Sequence, residues 1–348
     1  MLIRQIKLKQ FRNHEELIMQ LNPSMNIIVG KNGVGKSNIL ESIILMSNAK
    51  SFRTNDESKL INKNSTYATV EIDTDERNLK LLINEKGKTF YDNNVLIKRI
   101  SEVLGKLNAI IFKPGDIELF TQSPQARRRE IDLELGKISP KYLQLIINYN
   151  RYLKQKNNLL KEKRVDMNLL SIIDDTLIPT IKSIVHERQE FVNEISKYIG
   201  EIYNSISTSK ADIQVKYKKC CDEEDVETNL QLVREKDLYF QHSTFGPHKD
   251  DYIFTINNES LNNYASQGQK RMIIISLKLA IVRYIKEKYN KDVIVLLDDV
   301  ISELDIYNAS KLLLMLPSNQ IIMTTTHVDD LRANRQFNLI ELKEKTNG

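Results

Sequence analysis

Two short stretches of the chain combine residue types and spacings suited to phosphate chemistry. The first, Gly30-Lys31-Asn32-Gly33-Val34-Gly35-Lys36-Ser37, matches GxxxxGK[ST]; an apolar run at residues 26–29 precedes it and helical spacing follows over residues 37–46. Glycines let successive backbone N–H groups curl around a phosphate chain. Lys36 can reach the β- and γ-phosphates, the Ser37 hydroxyl can ligate Mg²⁺, and the helix N-terminus, continuing through Asn38, faces the anion. The bland alternative is a chance glycine-rich turn. The second stretch is the apolar run at residues 293–297, which ends in Asp298-Asp299. Asp298 is expected to hold the metal, directly or through water, and Asp299 to polarise the attacking water. Asp299 could instead simply cap the turn. Two acids ending a buried strand are costly without a cation or donors nearby, which favours the metal reading.

Ser37 and Asp298 are 261 residues apart, a spacing too wide for a simple P-loop enzyme. Three further pieces fit an ATP-binding cassette type of head: Ser266-Gln267-Gly268-Gln269 opening a helix, Ser302-Glu303-Leu304-Asp305 after the acidic pair, and His327 after three threonines. Ser266 with the N–H groups of Gly268 and Gln269 would form a helix-start anion site. Cassette heads use that site on the γ-phosphate of a second subunit, which implies an ATP-dependent homodimer; without that analogy Ser266 is a plain N-cap. His327 would contact the γ-phosphate from the chain's own side, although a lone histidine is more often structural.

The elements that must position these residues follow from periodicity. Residues 1–120 read as strands with one helix. Between about 121 and 236, Tyr142, Leu145, Tyr149, Leu153 and later Ile173, Ile181, Val185, Ile195 and Ile202 recur at helical spacing, with Pro179 expected to start or kink a helix and Gly200 to interrupt it. Strand and helix alternate again from about 237. The expected fold is therefore an α/β P-loop head assembled from both chain ends, residues 1–120 and 237–348, with an inserted helical lobe at 121–236.

With 348 residues, 41% of them hydrophobic, the chain can bury a sizeable core, and its 11 glycines and 7 prolines disfavour linker-like or collagenous structure. The two cysteines, Cys220 and Cys221, are adjacent, so they can neither staple a core nor build a metal cluster, and a reducing cytoplasm fits. No leader-like segment or membrane span is expected. Net charge is only +5, yet residues 127–164 hold eleven basic residues against four acids. Within that stretch Arg151, Lys154, Lys161 and Lys163 fall largely off the apolar face and are candidate contacts to DNA phosphates; the alternative is a solvated helix face.

The chain resembles the RecF family, bacterial recombination and repair ATPases related to SMC-type heads. The resemblance runs over nearly the whole length: Phe11-Arg12-Asn13-His14, the Gly30 to Ser37 loop, Ser51-Phe52-Arg53-Thr54, Phe112-Lys113-Pro114-Gly115-Asp116, Ser123-Pro124 with Arg127-Arg128-Arg129 and Asp132, Phe245-Gly246-Pro247-His248-Lys249-Asp250-Asp251, and the segments around Ser266 and Asp298. Lys249 stands where the family has Arg, and Gly115 where it has an acid. The resemblance implies ATP and Mg²⁺ as cofactors, with Arg12 and Asn13 joining the nucleotide set. It also implies ATP-driven dimerisation on DNA at gaps or single-strand to double-strand junctions, and slow, DNA-stimulated hydrolysis used as a switch. Implied partners are RecR and RecO, with loading of RecA on single-stranded DNA, in the cytoplasm and away from membranes. The competing readings are another SMC-like or cassette ATPase of chromosome organisation, disfavoured because the insert lacks sustained heptads, and a DNA-binding module with a decayed nucleotide site.

Overall fold

Alternating and continuous apolar runs divide the strands into two kinds. The computed structural model describes residues 1–304, 306–316, 319–326 and 337–343. In chain order its strands are β1 (Ile3–Phe11), β2 (His14–Gln20), β3 (Met25–Val29), β4 (Tyr67–Thr74), β5 (Asn78–Asn84), β6 (Gly87–Asp92), β7 (Val95–Ile97), β8 (Ala109–Phe112), β9 (Ile213–Lys218), β10 (Asp251–Ile256), β11 (Glu259–Ser260), β12 (Ile294–Asp298), β13 (Ile321–Thr325) and β14 (Phe337–Glu341). The helices are α1 (Lys36–Asn48), α2 (Pro124–Ile138), α3 (Pro140–Leu159), α4 (Met167–Ile206), α5 (Val226–Leu232), α6 (Arg234–Phe240), α7 (Leu261–Tyr264), α8 (Gln267–Tyr289) and α9 (Ile306–Met315). Residue contacts divide the chain into two compact units, one of Met1–Asp116, Ser205–Thr208 and Ile281–Gly348, the other of Ile117–Asn204 and Ser209–Ala280.

The first unit holds two sheets. One is antiparallel, in the order β2-β1-β4-β5-β6-β7, and its strands β4 and β5 alternate buried and half-buried residues, as a one-faced sheet requires. The other has the order β14-β3-β13-β12-β8 and is parallel throughout, and its inner strands β13 and β12 are buried at every residue. Helix α1 packs on both sheets: Leu40, Ile43 and Ile44 share one apolar cluster with Leu8, Val70 and Leu81 of the antiparallel sheet and Leu296 and Ile322 of the parallel one. Each such fully buried side chain contributes roughly 1.5–3 kcal/mol relative to exposure. Most of the helix is buried, the polar Glu41, Ser42 and Ser47 included, because it is covered on both sides.

The second unit is mainly helical, with the small sheet β11-β10-β9. Here the structure departs from two expectations. Helix α4 runs unbroken through 40 residues, so Pro179 does not start it and Gly200 does not interrupt it. The proline removes one backbone bond. The buried stripe of Ile173, Leu177, Ile181, Ile184 and Val185 continues on both sides of it, and tertiary packing outweighs that loss. Gly200 is tolerated inside the helix beside β9, where a Cβ would make an ordinary van der Waals contact of 3.5 Å with the Ile213 carbonyl. The division also falls elsewhere than the periodicity suggests, because residues 237–280 belong with the helices. Strand β9, hidden in the supposed all-helical stretch, pairs antiparallel with β10, from Asp251 opposite Lys218 to Ile256 opposite Ile213. Among the described residues no helix is long and apolar enough to cross a membrane.

Two buried cations organise this second unit. Lys156, 1% exposed, bridges Asp174 of α4 at 2.8 Å and Asp237 of α6 at 2.9 Å. Arg188 of α4 donates to Asp132 of α2, to the Tyr142 hydroxyl of α3, to the Pro247 carbonyl and to Asp250. The segment 245–251 thus reads as a structural keystone. Asp251 receives Arg127 through two 2.8 Å bonds, and His248 sits between the Tyr149 hydroxyl at 2.5 Å and the Ser243 carbonyl at 3.1 Å. The carbonyl requires an N–H at Nε2, which leaves Nδ1 to accept from Tyr149, so the ring is neutral. Burial pushes its pKa down from 6.5 to about 4. The unfolded state therefore binds more protons in that window, so stability is full above pH 6.5 and lost as pH falls towards 4. Urea unfolding of the wild type is expected to lose up to about 3 kcal/mol more than His248→Gln across that interval; parallel pH profiles would refute the assignment.

Candidate nucleotide site

The phosphate loop links the buried strand β3 to α1. Gly35 caps the helix with φ 107°, and a Cβ there would stand 2.5 Å from both Asn13 Oδ1 and His14 Nε2, so glycine is required on conformational and steric grounds. The turn between β1 and β2 clasps the loop from that side. Asn13 Nδ2 donates to the Gly33 carbonyl at 3.2 Å, His14 Nε2 lies 3.1 Å from the Gly35 carbonyl, and Asn38 Nδ2 donates to Asn13 Oδ1 at 2.7 Å. Lys36 is 4% exposed, and its ammonium donates to the carbonyls of Gly30 at 2.6 Å and Lys31 at 3.1 Å, which sets it across the mouth of the loop. Lys31, Asn32 and Gly33 are exposed there, with Val34 half-buried.

Strand order brings the acidic pair to the same place. β13 lies between β3 and β12, with Thr324 opposite Ile28 on one side and Asp298 on the other. Across the 261-residue separation, the Ser37 hydroxyl donates to Asp298 Oδ1 at 2.7 Å. A hydroxyl and a carboxylate converging at the loop mouth are hard oxygen donors, the set that Mg²⁺ takes beside nucleotide phosphates, so these residues fit the ion. Asp299 follows with φ 52°, a left-handed conformation that costs a non-glycine residue about 1–2 kcal/mol. Its N–H donates to Thr324 Oγ1 at 3.0 Å and its carbonyl accepts the Ser302 hydroxyl at 2.7 Å. His327 and Asp305 lie outside the described residues.

Arg12 takes a bracing position. Its guanidinium donates twice to Glu41 of α1, at 2.9 and 2.5 Å, and to the Lys59 carbonyl at 2.7 Å. Glu41 is fully buried and also accepts from Ser51 Oγ at 2.5 Å, while Arg53 donates to Asn38 Oδ1 at 2.8 Å. One buried carboxylate therefore ties the β1–β2 turn and the 51–53 loop to the helix that carries Lys36 and Ser37. The reading from sequence missed Glu41. A lone acid inside the apolar run Ile39, Leu40, Ile43, Ile44 was the signal for it, since such a charge must be paired.

In the second unit, Ser266 and Gln269 form a reciprocal capping box at the start of α8: Gln269 N–H donates to Ser266 Oγ at 3.2 Å, and Ser266 N–H to Gln269 Oε1 at 2.9 Å. Ser266 and Gly268 are exposed, so this helix start is open to a ligand. Of the eleven basic residues between 127 and 164, five bond to acids or carbonyls of the chain: Arg127 to Asp251, Arg128 to the Asp250 carbonyl, Lys137 to Glu134, Lys156 to its two aspartates and the exposed Lys141 to Glu187. Arg151, Lys154, Lys161 and Lys163 are exposed, and Arg151 stacks over Tyr152 at 4.7 Å.

Residues 2–347 match the family described as RecF/RecN/SMC N terminal domain. A relative from Bacillus velezensis, named DNA replication and repair protein RecF, is 35% identical over 95% of either chain. A solved structure of the recombination mediator protein RecF with ATP, in the RecFOR pathway, superposes with a TM-score of 0.87 at 28% identity, covering 95% of this chain and 93% of that one. An Smc head bound to the C-winged helix domain of ScpA, 19% identical with a TM-score of 0.55 over 95% of this chain and 90% of its own, shares the fold alone. With the phosphate loop, the acidic strand end and the parallel sheet between them, these likenesses establish an ABC-type, SMC-like P-loop ATPase head, and the chain belongs to the RecF family.

Proposed function

We propose that the chain is an ATP-switched DNA-binding protein of recombinational repair and replication restart. The observation that supports this reading is the 2.7 Å bond between Ser37 of the phosphate loop and Asp298 of β12, which brings together the hydroxyl and the carboxylate that a magnesium–nucleotide site would need. Lys36 neutralises the β- and γ-phosphates. Ser37 and Asp298 would hold Mg²⁺, which supplies positive charge to the oxygens of the transferring phosphoryl group. Asp299 accepts a proton from the attacking water. Ser266, Gly268 and Gln269 close the γ-phosphate site of a second copy, so ATP drives dimerisation and slow, DNA-stimulated hydrolysis resets it.

DNA at gaps and strand junctions is the ligand of the dimer, and exposed Arg151, Lys154, Lys161 and Lys163 contact its phosphates. The description of one solved relative as a recombination mediator protein RecF in the RecFOR pathway supports RecR and RecO as partners; loading of RecA, in the cytoplasm, is the step this proposal assigns to them. Phosphate-dominated binding is independent of sequence and falls with salt, with a log–log slope of about −0.9 per phosphate neutralised. Fluorescence anisotropy on gapped DNA is expected to show binding that needs ATP. The double variant Lys154→Glu with Lys161→Glu should flatten the salt slope by about 2 without changing ATP affinity. An unchanged slope would move the DNA surface elsewhere on the molecule, and binding indifferent to ATP would refute the switch.

A further inference from the structure

We infer that Thr324 is the positioning residue of the acidic pair, a role that rests on the reading of Asp298 as the metal-holding carboxylate. Thr324 is fully buried in β13, directly between the strand that feeds the phosphate loop and the strand that ends in the acids. Its hydroxyl touches both acids at once. The Asp299 N–H donates to Oγ1 at 3.0 Å, and Oγ1 lies 2.9 Å from Asp298 Oδ1, with the Leu297 carbonyl farther off at 3.4 Å. Because the oxygen accepts from Asp299, its single proton is free to point at Asp298. The chain of donors therefore has one direction, from the Asp299 amide through the Thr324 hydroxyl to Asp298.

This arrangement does two things for the site. Asp298 Oδ1 accepts from Thr324 as well as from Ser37, so the rotation of the carboxylate is fixed by a buried group that does not itself meet the ligand. When Ser37 turns its oxygen to a metal, the bond from Thr324 stays in place and keeps the carboxylate aimed. The bond to the Asp299 amide also holds that residue in its left-handed conformation, which sets where its side chain leaves the strand. Valine has nearly the shape of threonine and keeps the packing of β13 but removes the donor and the acceptor together. Serine keeps both.

Loss of a group that orients a metal ligand typically lowers metal affinity 10–100-fold. The test measures binding of a fluorescent ADP analogue at increasing Mg²⁺ concentration, alongside ATP turnover, for the wild type, Thr324→Val, Thr324→Ala and Thr324→Ser. Thr324→Val is expected to raise the Mg²⁺ concentration for half-effect about 10-fold or more and to lower kcat with it, while nucleotide affinity without Mg²⁺ stays unchanged; Thr324→Ser should return within about threefold of the wild type. Thr324→Ala gives the same reading if the valine variant does not fold. Should both variants melt earlier yet show the wild-type Mg²⁺ dependence, Thr324 is only a core residue and the inference is overturned. A wild type whose nucleotide binding ignores Mg²⁺ would instead overturn the metal reading of Asp298, and this inference with it.

Discussion

Lys36→Ala should weaken ATP binding about 10–100-fold, whereas Asp299→Asn should leave affinity within about threefold and slow hydrolysis at least 100-fold. The environments of the two residues differ. Lys36 is buried to 4% and already donates to two loop carbonyls, so its ammonium is held in place before any phosphate arrives. Removing it takes a preorganised cation from a polyanion site, and charge-assisted hydrogen bonds are worth roughly 1.5–3 kcal/mol, the origin of the expected range. Asp299, in contrast, is fixed by its backbone: the amide on Thr324 and the carbonyl under Ser302 survive a change of side chain to Asn. Asn keeps the shape and loses the ability to take a proton, a contribution typically worth 10²–10⁴ in rate. Titration calorimetry for affinity and single-turnover kinetics for hydrolysis separate the two effects. Equal loss of nucleotide affinity in both variants would make Asp299 a metal ligand or a structural residue. If affinity holds while turnover stops, the ATP-bound dimer should accumulate, which light scattering would detect.

Local chemistry was the legible part of this site. The glycine spacing of residues 30–37 and the acids after residues 293–297 were readable because each is contiguous in sequence, and the structure joins them as Ser37 and Asp298. Glu41 and Thr324 were given no role, and His14 entered only within a family motif, since their importance lies in partners far along the chain: Arg12 and Ser51, Asp298 and Asp299, and the Gly35 carbonyl. The fold shows the same division. The strands read into residues 1–120 are there, β4 among them with buried and half-buried residues in alternation. Strand β9 has equally good alternation, with Ile213, Val215 and Tyr217 buried, but it sat inside a stretch dominated by helical periodicity and was absorbed into it. Pro179 as a helix start misled for the converse reason. Its cost is local and known, while the burial that outweighs it becomes visible only when both flanking stripes are seen to pack.

Arg188→Leu should destabilise the protein by about 3–5 kcal/mol. The guanidinium is 2% exposed and joins groups from α2, α3 and the 247–250 segment: Asp132 Oδ2 at 2.9 Å, the Tyr142 hydroxyl at 3.0 Å, the Pro247 carbonyl at 2.9 Å and Asp250 Oδ2 at 2.7 Å. Leucine restores some apolar packing but strands Asp250, which is 1% exposed, with a charge it can neither hydrate nor share fully. The Tyr217 hydroxyl and the Cys220 amide remain as donors to that carboxylate, and they keep the loss within the stated range. Arg188→Lys should recover little, because a single ammonium cannot span acceptors that a planar fork meets from several directions. Removing the stranded charge as well is the informative control. Arg188→Leu combined with Asp250→Asn should regain a measurable part of the loss, since a neutral amide can still donate and accept among Tyr217, Cys220 and the Pro247 carbonyl. Urea unfolding of Arg188→Leu, Asp250→Asn and the double variant decides the matter. If the double variant is as unstable as the sum of its singles, the two groups do not act as a pair, and the hub is an assembly of independent packing contacts rather than a compensated charge.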